Sequence, residues 1–191
     1  MNIEQAIRER RSVGRVKDVP LDRKVIEKIL EAGNWAPSHH ATEPWRFYVM
    51  TGRGRDVLAS AYADIAAEQA EASTSLEDIE DIRQKQAKKA YRAPLVIAVA
   101  VSPSSDPKVE RKEEFAAAHA AVQNMLLRAH ALGLGAIWRS GQPMFHPIMK
   151  RAFQLKDHEE LVALVYIGEP AVALPEGKRR PVEEKTVWIE Q

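Results

Sequence analysis

The chain has 191 residues, 45% of them hydrophobic, with 28 lysines and arginines against 27 aspartates and glutamates, six histidines and no cysteine. That length suits one domain over residues 1–191, or one protomer of an intertwined dimer, and a formal charge of +1 leaves no electrostatic footprint for nucleic acid. The missing cysteine excludes disulfides, thiolate zinc sites, iron–sulfur clusters and a sulfur nucleophile.

The N-terminus, MNIEQAIRERRS, lacks the apolar centre of a signal peptide, and no apolar run is long enough for a bilayer, so a soluble cytoplasmic protein is expected. Residues 2–11 read as a short helix, with Asn2 as cap, Gln5 at the capping-box position and Ile3, Ala6 and Ile7 on one face. Val25, Ile26, Ile29 and Leu30 make an apolar stripe in a second helix over 21–35, stopped by Pro37. Trp45 to Met50 is short and aromatic, hence a strand. Residues 54–72 and 75–91 predict helices split by Ser73-Thr74-Ser75. Leu95 to Val101 is a continuous apolar run, the pattern of a strand covered on both faces. A loop from Ser102 to Lys108 precedes the longest helix, 113–132, ended by Gly133. Gly135 to Trp138 forms a strand, Ile148 to Phe153 a short helix started by Pro147, and Leu161 to Ile167 a final strand. The tail through Thr186-Val187-Trp188-Ile189 is too apolar to hang free and is expected to pack on this chain or a partner. Intermixed helices and strands give one layered domain with helices flanking a sheet.

The balanced charge hides segregation. Arg8, Arg10, Arg11, Arg15 and Lys17 are offset only by Glu9, and seven acids between Asp64 and Asp81 precede the basic stretch Arg83 to Arg92. A last cluster is Lys178-Arg179-Arg180. Charge blocks usually mark solvated helix faces, but guanidinium clusters at the two ends of a chain can converge on one anion. Several chemistries are absent: Gly52-Arg53-Gly54 has no third glycine for a dinucleotide fingerprint, and there is neither a P-loop nor a G-x-S-x-G elbow. The histidines show no metal-ligand spacing, so no metal is expected, and His119, on the stripe of the long helix, reads as a core residue.

Three stretches are more specific than structure alone needs: Arg10-Arg11-Ser12; the turn Ala36-Pro37-Ser38-His39 leading to Pro44-Trp45; and Leu132-Gly133-Leu134-Gly135 running into Ile137-Trp138-Arg139-Ser140-Gly141. Together with Gln123-Asn124 and Arg179-Arg180-Pro181, and in this order, they resemble the FMN-dependent nitroreductase family, in its small branch lacking the long inserted helices. The resemblance spans nearly the whole chain. It implies a three-layer α/β/α sandwich of α+β class, with a mostly antiparallel central sheet, in an intertwined homodimer whose FMN sites lie between subunits. Arg10 and Arg179 would hold the FMN phosphate, and Arg11 and Ser12 would bond phosphate, ribityl or ring oxygens. Pro37, Ser38 and His39 would border the flavin from the other subunit. Trp138, Arg139, Ser140 and Gly141 would lie along the isoalloxazine, with a backbone N–H near its N5.

The implied activity is transfer of hydride from NAD(P)H through FMN to a nitroaromatic, quinone or related small-molecule acceptor in ping-pong fashion, with no protein residue as acid–base catalyst. The alternatives are a flavoprotein of the same fold acting on a specific metabolite, and a non-catalytic protein binding FMN or a phosphorylated ligand. One position departs from the family. Many members carry Lys or Arg two residues after the serine, near the flavin N1/O2 region, where this chain has Gly14 followed by Arg15. Either Arg15 or a base of the 83–92 cluster compensates, or the flavin potential differs.

Overall fold

The computed structural model describes residues 1–190. Its centre is a four-stranded, fully antiparallel sheet of β1 (Trp45–Thr51), β2 (Leu95–Val101), β3 (Gly135–Arg139) and β4 (Glu160–Gly168), in spatial order β1-β2-β4-β3. Helices α1 (Ile3–Glu9), α2 (Arg23–Asn34), α3 (Asp56–Glu68), α4 (Leu76–Ala87), α5 (Arg111–Ala131), α6 (Gln142–Phe145) and α7 (Pro147–Ala152) surround it.

Strand periodicity divides the core in two. Leu95, Ile97, Val99 and Val101 of β2 face α2 and α5, where they meet Ile26, Ile29, Val122 and Met125. Val96, Ala98 and Ala100 face Leu58, Tyr62 and Ile65 of α3 and Met149 of α7. β2 is therefore buried on both faces, as its unbroken apolar run predicts, and each large side chain so buried contributes about 1.5–3 kcal/mol. Between β2 and β4 the register shifts at Val99/Ala100, so that Val162 and Ala163 both join the α5 side before alternation resumes. This bulge is not readable from composition.

The helices form where caps and stripes place them. Asn2 and Gln5 make a reciprocal capping box at α1, while Asp22 and Ser75 cap α2 and α4. α4 gives way to one tighter turn at Lys88–Tyr91, which ends the helix predicted to reach residue 91. α6 was not foreseen, because its four residues carry no periodic pattern.

The strip after α1 fixes the functional region. Ser12 pairs with Ala136 on the open edge of β3, where the Val13 N–H donates to the Ala136 carbonyl at 2.9 Å. The chain then crosses to the end of β4, where Lys17 N–H donates to Glu169 O at 2.8 Å and Ala171 N–H to Arg15 O at 3.1 Å. The strip lies close because Gly135 has no side chain: a Cβ there would stand 2.8 Å from Val13 Cγ1 and 3.0 Å from Val13 Cβ. Gly135→Ala should therefore push buried Val13 off β3 and cost about 1–3 kcal/mol. Thermal unfolding should show a midpoint lower by several degrees, and an unchanged midpoint would mean that the strip is not held this way.

Candidate functional site

Three groups of expected residues occupy three places. The first is a guanidinium cluster beyond α1. Arg10 is half-buried, and burial, followed by repulsion from Arg179 and Arg11, holds its guanidinium below the usual arginine range. Arg11 is largely committed to backbone: its Nη1 donates to the carbonyls of Arg8 at 2.6 Å and Arg10 at 2.8 Å, and its Nε to Pro175 O at 3.2 Å. Its guanidinium packs so closely on Gly177 that any Cβ there would overlap it. Arg11 thus staples the tail to the end of α1, which brings the Arg179 charge to Arg10. Beneath them lies His130 of α5, buried with Nε2 unpartnered among the described residues. Its imidazole is held below the usual range by burial, while Glu9 raises it and Arg10 and Arg11 lower it further.

The second place is a cleft of about 400 Å³ at the far end of β3, lined among others by Tyr62, Lys89, Arg92, Arg139, Ser140 and Met144. Its volume falls in the range of small-molecule sites. Alternation along β3 sends Trp138 to the α5 side, where its indole N–H donates to Val162 O at 3.2 Å and its ring stacks on His119 with centroids 5.4 Å apart. His119 is accordingly a packing residue. Arg139 turns the other way, with its guanidinium carbon 5.7 Å from the Tyr166 ring centre. Gly141 has φ of 120°, which favours glycine, and this bend turns the strand into α6. The Tyr62 and Tyr166 hydroxyls lie 3.3 Å apart, and burial pushes both above the usual tyrosine range, Tyr166 well above it. The hydroxyl pair is therefore uncharged. Burial, then Arg92, lowers Lys89.

The third place is the loop before β1. Pro37 and His39 are exposed and Ser38 is half-buried. His40, Ala41 and Glu43 hold positive φ of 57°, 52° and 45°, which is strained for residues with a Cβ. The loop is tied down by bonds to α5: His39 Nδ1 lies 2.5 Å from Glu113 Oε2, and Thr42 Oγ1 donates to Glu114 Oε1 at 2.5 Å. Glu114 also accepts from Ser104 N–H at 3.0 Å and is only 1% exposed. Sequence reading passed over it, although an acid in register with Ala117, Ala118 and Ala121 on a buried helix face was the available signal.

The first two places adjoin, since Gly14 is four residues from Arg10 and so at most about 14 Å away along the backbone, and it faces Arg139. The loop stands apart from the arginine cluster within one chain. It is fixed at Glu113 and Glu114 near the start of α5, whereas the arginine cluster surrounds His130 near its end. Sixteen helical residues separate Glu114 from His130, about 24 Å. Among the described residues no group of acids and histidines could hold a metal, and no helix is long and apolar enough to cross a membrane.

The profile of the nitroreductase family matches residues 7–169, covering the strip, the loop, the cleft and the whole sheet. The chain belongs to the nitroreductase family. It is 31% identical over 185 residues to YfhC of Bacillus subtilis, provisionally named an NAD(P)H nitroreductase, covering 96% of this chain and 92% of that one. The crystal structure of a nitroreductase-like family protein from Bacillus cereus superposes with a TM-score of 0.83 at 30% identity, over 100% of this chain and 97% of the other. A provisionally named nitroreductase from Desulfovibrio desulfuricans, crystallised in complex with FMN, matches with a TM-score of 0.70 at 31% identity, over 100% and 99%. The α+β fold with helices on both faces of an antiparallel sheet, implied by the sequence motifs, is thus shown.

In this nitroreductase-family chain, Glu114→Ala should leave Thr42 and Ser104 without their acceptor and cost about 1–3 kcal/mol. Amide exchange should accelerate across residues 36–43, with a smaller effect for Glu114→Gln; unaltered exchange in the loop would show that Glu114 does not hold it.

Proposed function

We propose that the chain is an FMN-dependent NAD(P)H oxidoreductase that reduces nitroaromatic, quinone or related acceptors and works as a homodimer. The observation that carries this reading is the pair of cationic groups flanking one strip of backbone: Arg10 with Arg179 on one side, and Arg139 with Lys89 and Arg92 on the other. Among the described residues none of these five side chains is ion-paired. Clustered cations that depress one another suit an anionic ligand.

The donor set fits FMN. Arg10 and Arg179 would take its phosphate, for which guanidinium forks are well matched, and Ser12 would bond the adjoining chain. Arg11 contributes by holding the tail in place. The cleft end, with backbone N–H groups of Ser140 and Gly141 and the Arg139 side chain, would border the ring, while Trp138 fixes β3 from behind. When bound, FMN supplies the electron carrier that a chain without cysteine or an acid–base dyad does not itself provide.

The homodimer reading rests on the third place. Pro37, Ser38 and His39 lie toward the opposite end of α5 from Arg10, which favours their being supplied to a ligand held by Arg10 from a second copy. Exposed apolar residues offer surface for that copy, with Trp35, Val187 and Ile189 largely uncovered and Trp188 80% exposed. The relatives' provisional names and the FMN complex of the Desulfovibrio protein agree with this reading.

Purified protein should retain FMN, bleach anaerobically with NADPH or NADH, and recover its colour on adding nitrobenzene. Protein that binds FMN without bleaching would be a binder and not an enzyme. Arg10→Ala and Arg179→Ala should each raise the FMN dissociation constant about ten- to a hundredfold, the scale of a hydrogen bond to a charged group. Unchanged affinity in both would remove the phosphate assignment. Sedimentation should give a dimer, and a monomer with full flavin occupancy would contradict the shared site.

A further inference from the structure

Gly14 and Arg139 share one small space. A Cβ at position 14 would stand 3.4 Å from Arg139 Nη2 and 3.8 Å from Ile137 Cδ1, so the arginine head fills the ground that a side chain at 14 would cover. Arg139 Nε is buried without a hydrogen-bond partner among the described residues. A donor so placed is costly unless an acceptor answers it. Nothing acidic does so: no aspartate or glutamate lines the cleft, its other charged members are Lys89 and Arg92, and the Tyr62–Tyr166 hydroxyl pair is uncharged. Arg15, the nearer sequence candidate for a compensating cation, is exposed, is not among the cleft residues and ties its carbonyl to Ala171. The cleft thus holds excess positive charge with a buried donor unanswered.

We propose that Arg139 is the cation that stabilises negative charge gained by the FMN ring on reduction, supplied from β3 in place of a side chain at residue 14. The proposal rests on the FMN reading above. Hydride transfer from NAD(P)H moves two electrons and one proton, releases NAD(P)⁺ and adds one net negative charge at the ring; Arg139 faces that charge. Charge near a flavin ring is one means by which a protein sets its potential, and the effect is larger beside the buried Tyr62, Met144 and Leu164 of the cleft than in water. Arg139 is therefore worth more to the reduced state than to the oxidised one, whereas Arg10 and Arg179, on the phosphate, serve both alike.

The test is the midpoint potential of the FMN-loaded protein, measured with the affinity for oxidised FMN, in the wild type, Arg139→Met, Arg139→Lys and the double variant Gly14→Lys/Arg139→Met. Arg139→Met should lower affinity for reduced FMN about tenfold more than for oxidised FMN, a potential about 30 mV more negative for a two-electron couple. Arg139→Lys should stay near the wild type. The double variant should recover most of the loss, because position 14 lies outside the positive-φ region and its Cβ points into the vacated space. Should Arg139→Met not fold, Arg139→Gln makes the same comparison. An unmoved potential in the neutral variant, or a fall that Lys at 14 does not reverse, would overturn the assignment while leaving FMN binding intact. Wild-type protein that takes up no FMN would overturn the functional reading itself, and this assignment with it.

Discussion

The site depends on a few backbone hydrogen bonds that lay the strip from Ser12 to Lys17 along the end of the sheet. The Val13 bond to Ala136 gives the open edge of β3 a partner, and the Lys17 bond to Glu169 fastens the strip at the end of β4. They also place Arg10 and Arg11 just ahead of the strip and Gly14 within it, against Arg139. A close approach of this kind needs a strand without a Cβ at the crossing, and Gly135 meets that need. Remove the contact and the cationic groups lose their fixed relation, although the sheet itself keeps β2 buried on both faces.

Charge pairing separates this region from the rest of the surface. A larger groove, of about 640 Å³, lies between α2 and the outer edge of β1, lined by Leu21, Ile26, Leu30 and Val49. Its charges are balanced: Arg55 lies 3.7 Å from Asp18, and Arg23 2.9 Å from Glu27. Such a groove offers apolar surface but no anion site. The smaller cleft beside β3 gathers lysine and arginine with no acid among its lining residues, and volume is a poorer guide to chemistry here than uncompensated charge.

Much of this was legible in the sequence, for reasons that differ from element to element. β2 and the long α5 could be read because one is continuously apolar and the other repeats every three to four residues, patterns set by burial. The arginines stood out because their charges are clustered. Other features depend on contacts between distant residues and leave no local trace. The bulge that turns Val162 and Ala163 to one face is a matter of register between strands. Glu114 carries the strained loop through Thr42, seventy-two positions away. The answer to Gly14 lies in Arg139, distant in sequence, where inspection of neighbouring residues pointed to Arg15 or the 83–92 stretch.

The strained loop and the arginine cluster sit at opposite ends of α5, and in the proposed dimer the loop of a second copy would complete the site. The measurement that bears most directly on this account is a crystal structure of the chain grown with FMN. The account predicts the phosphate within hydrogen-bond reach of Arg10 and Arg179, the ring in the cleft beside Arg139, Ser140 and Gly141, and Pro37 to His39 of a second copy against the same ring. FMN seated instead in the apolar groove between α2 and β1, or held by one chain alone, would contradict it.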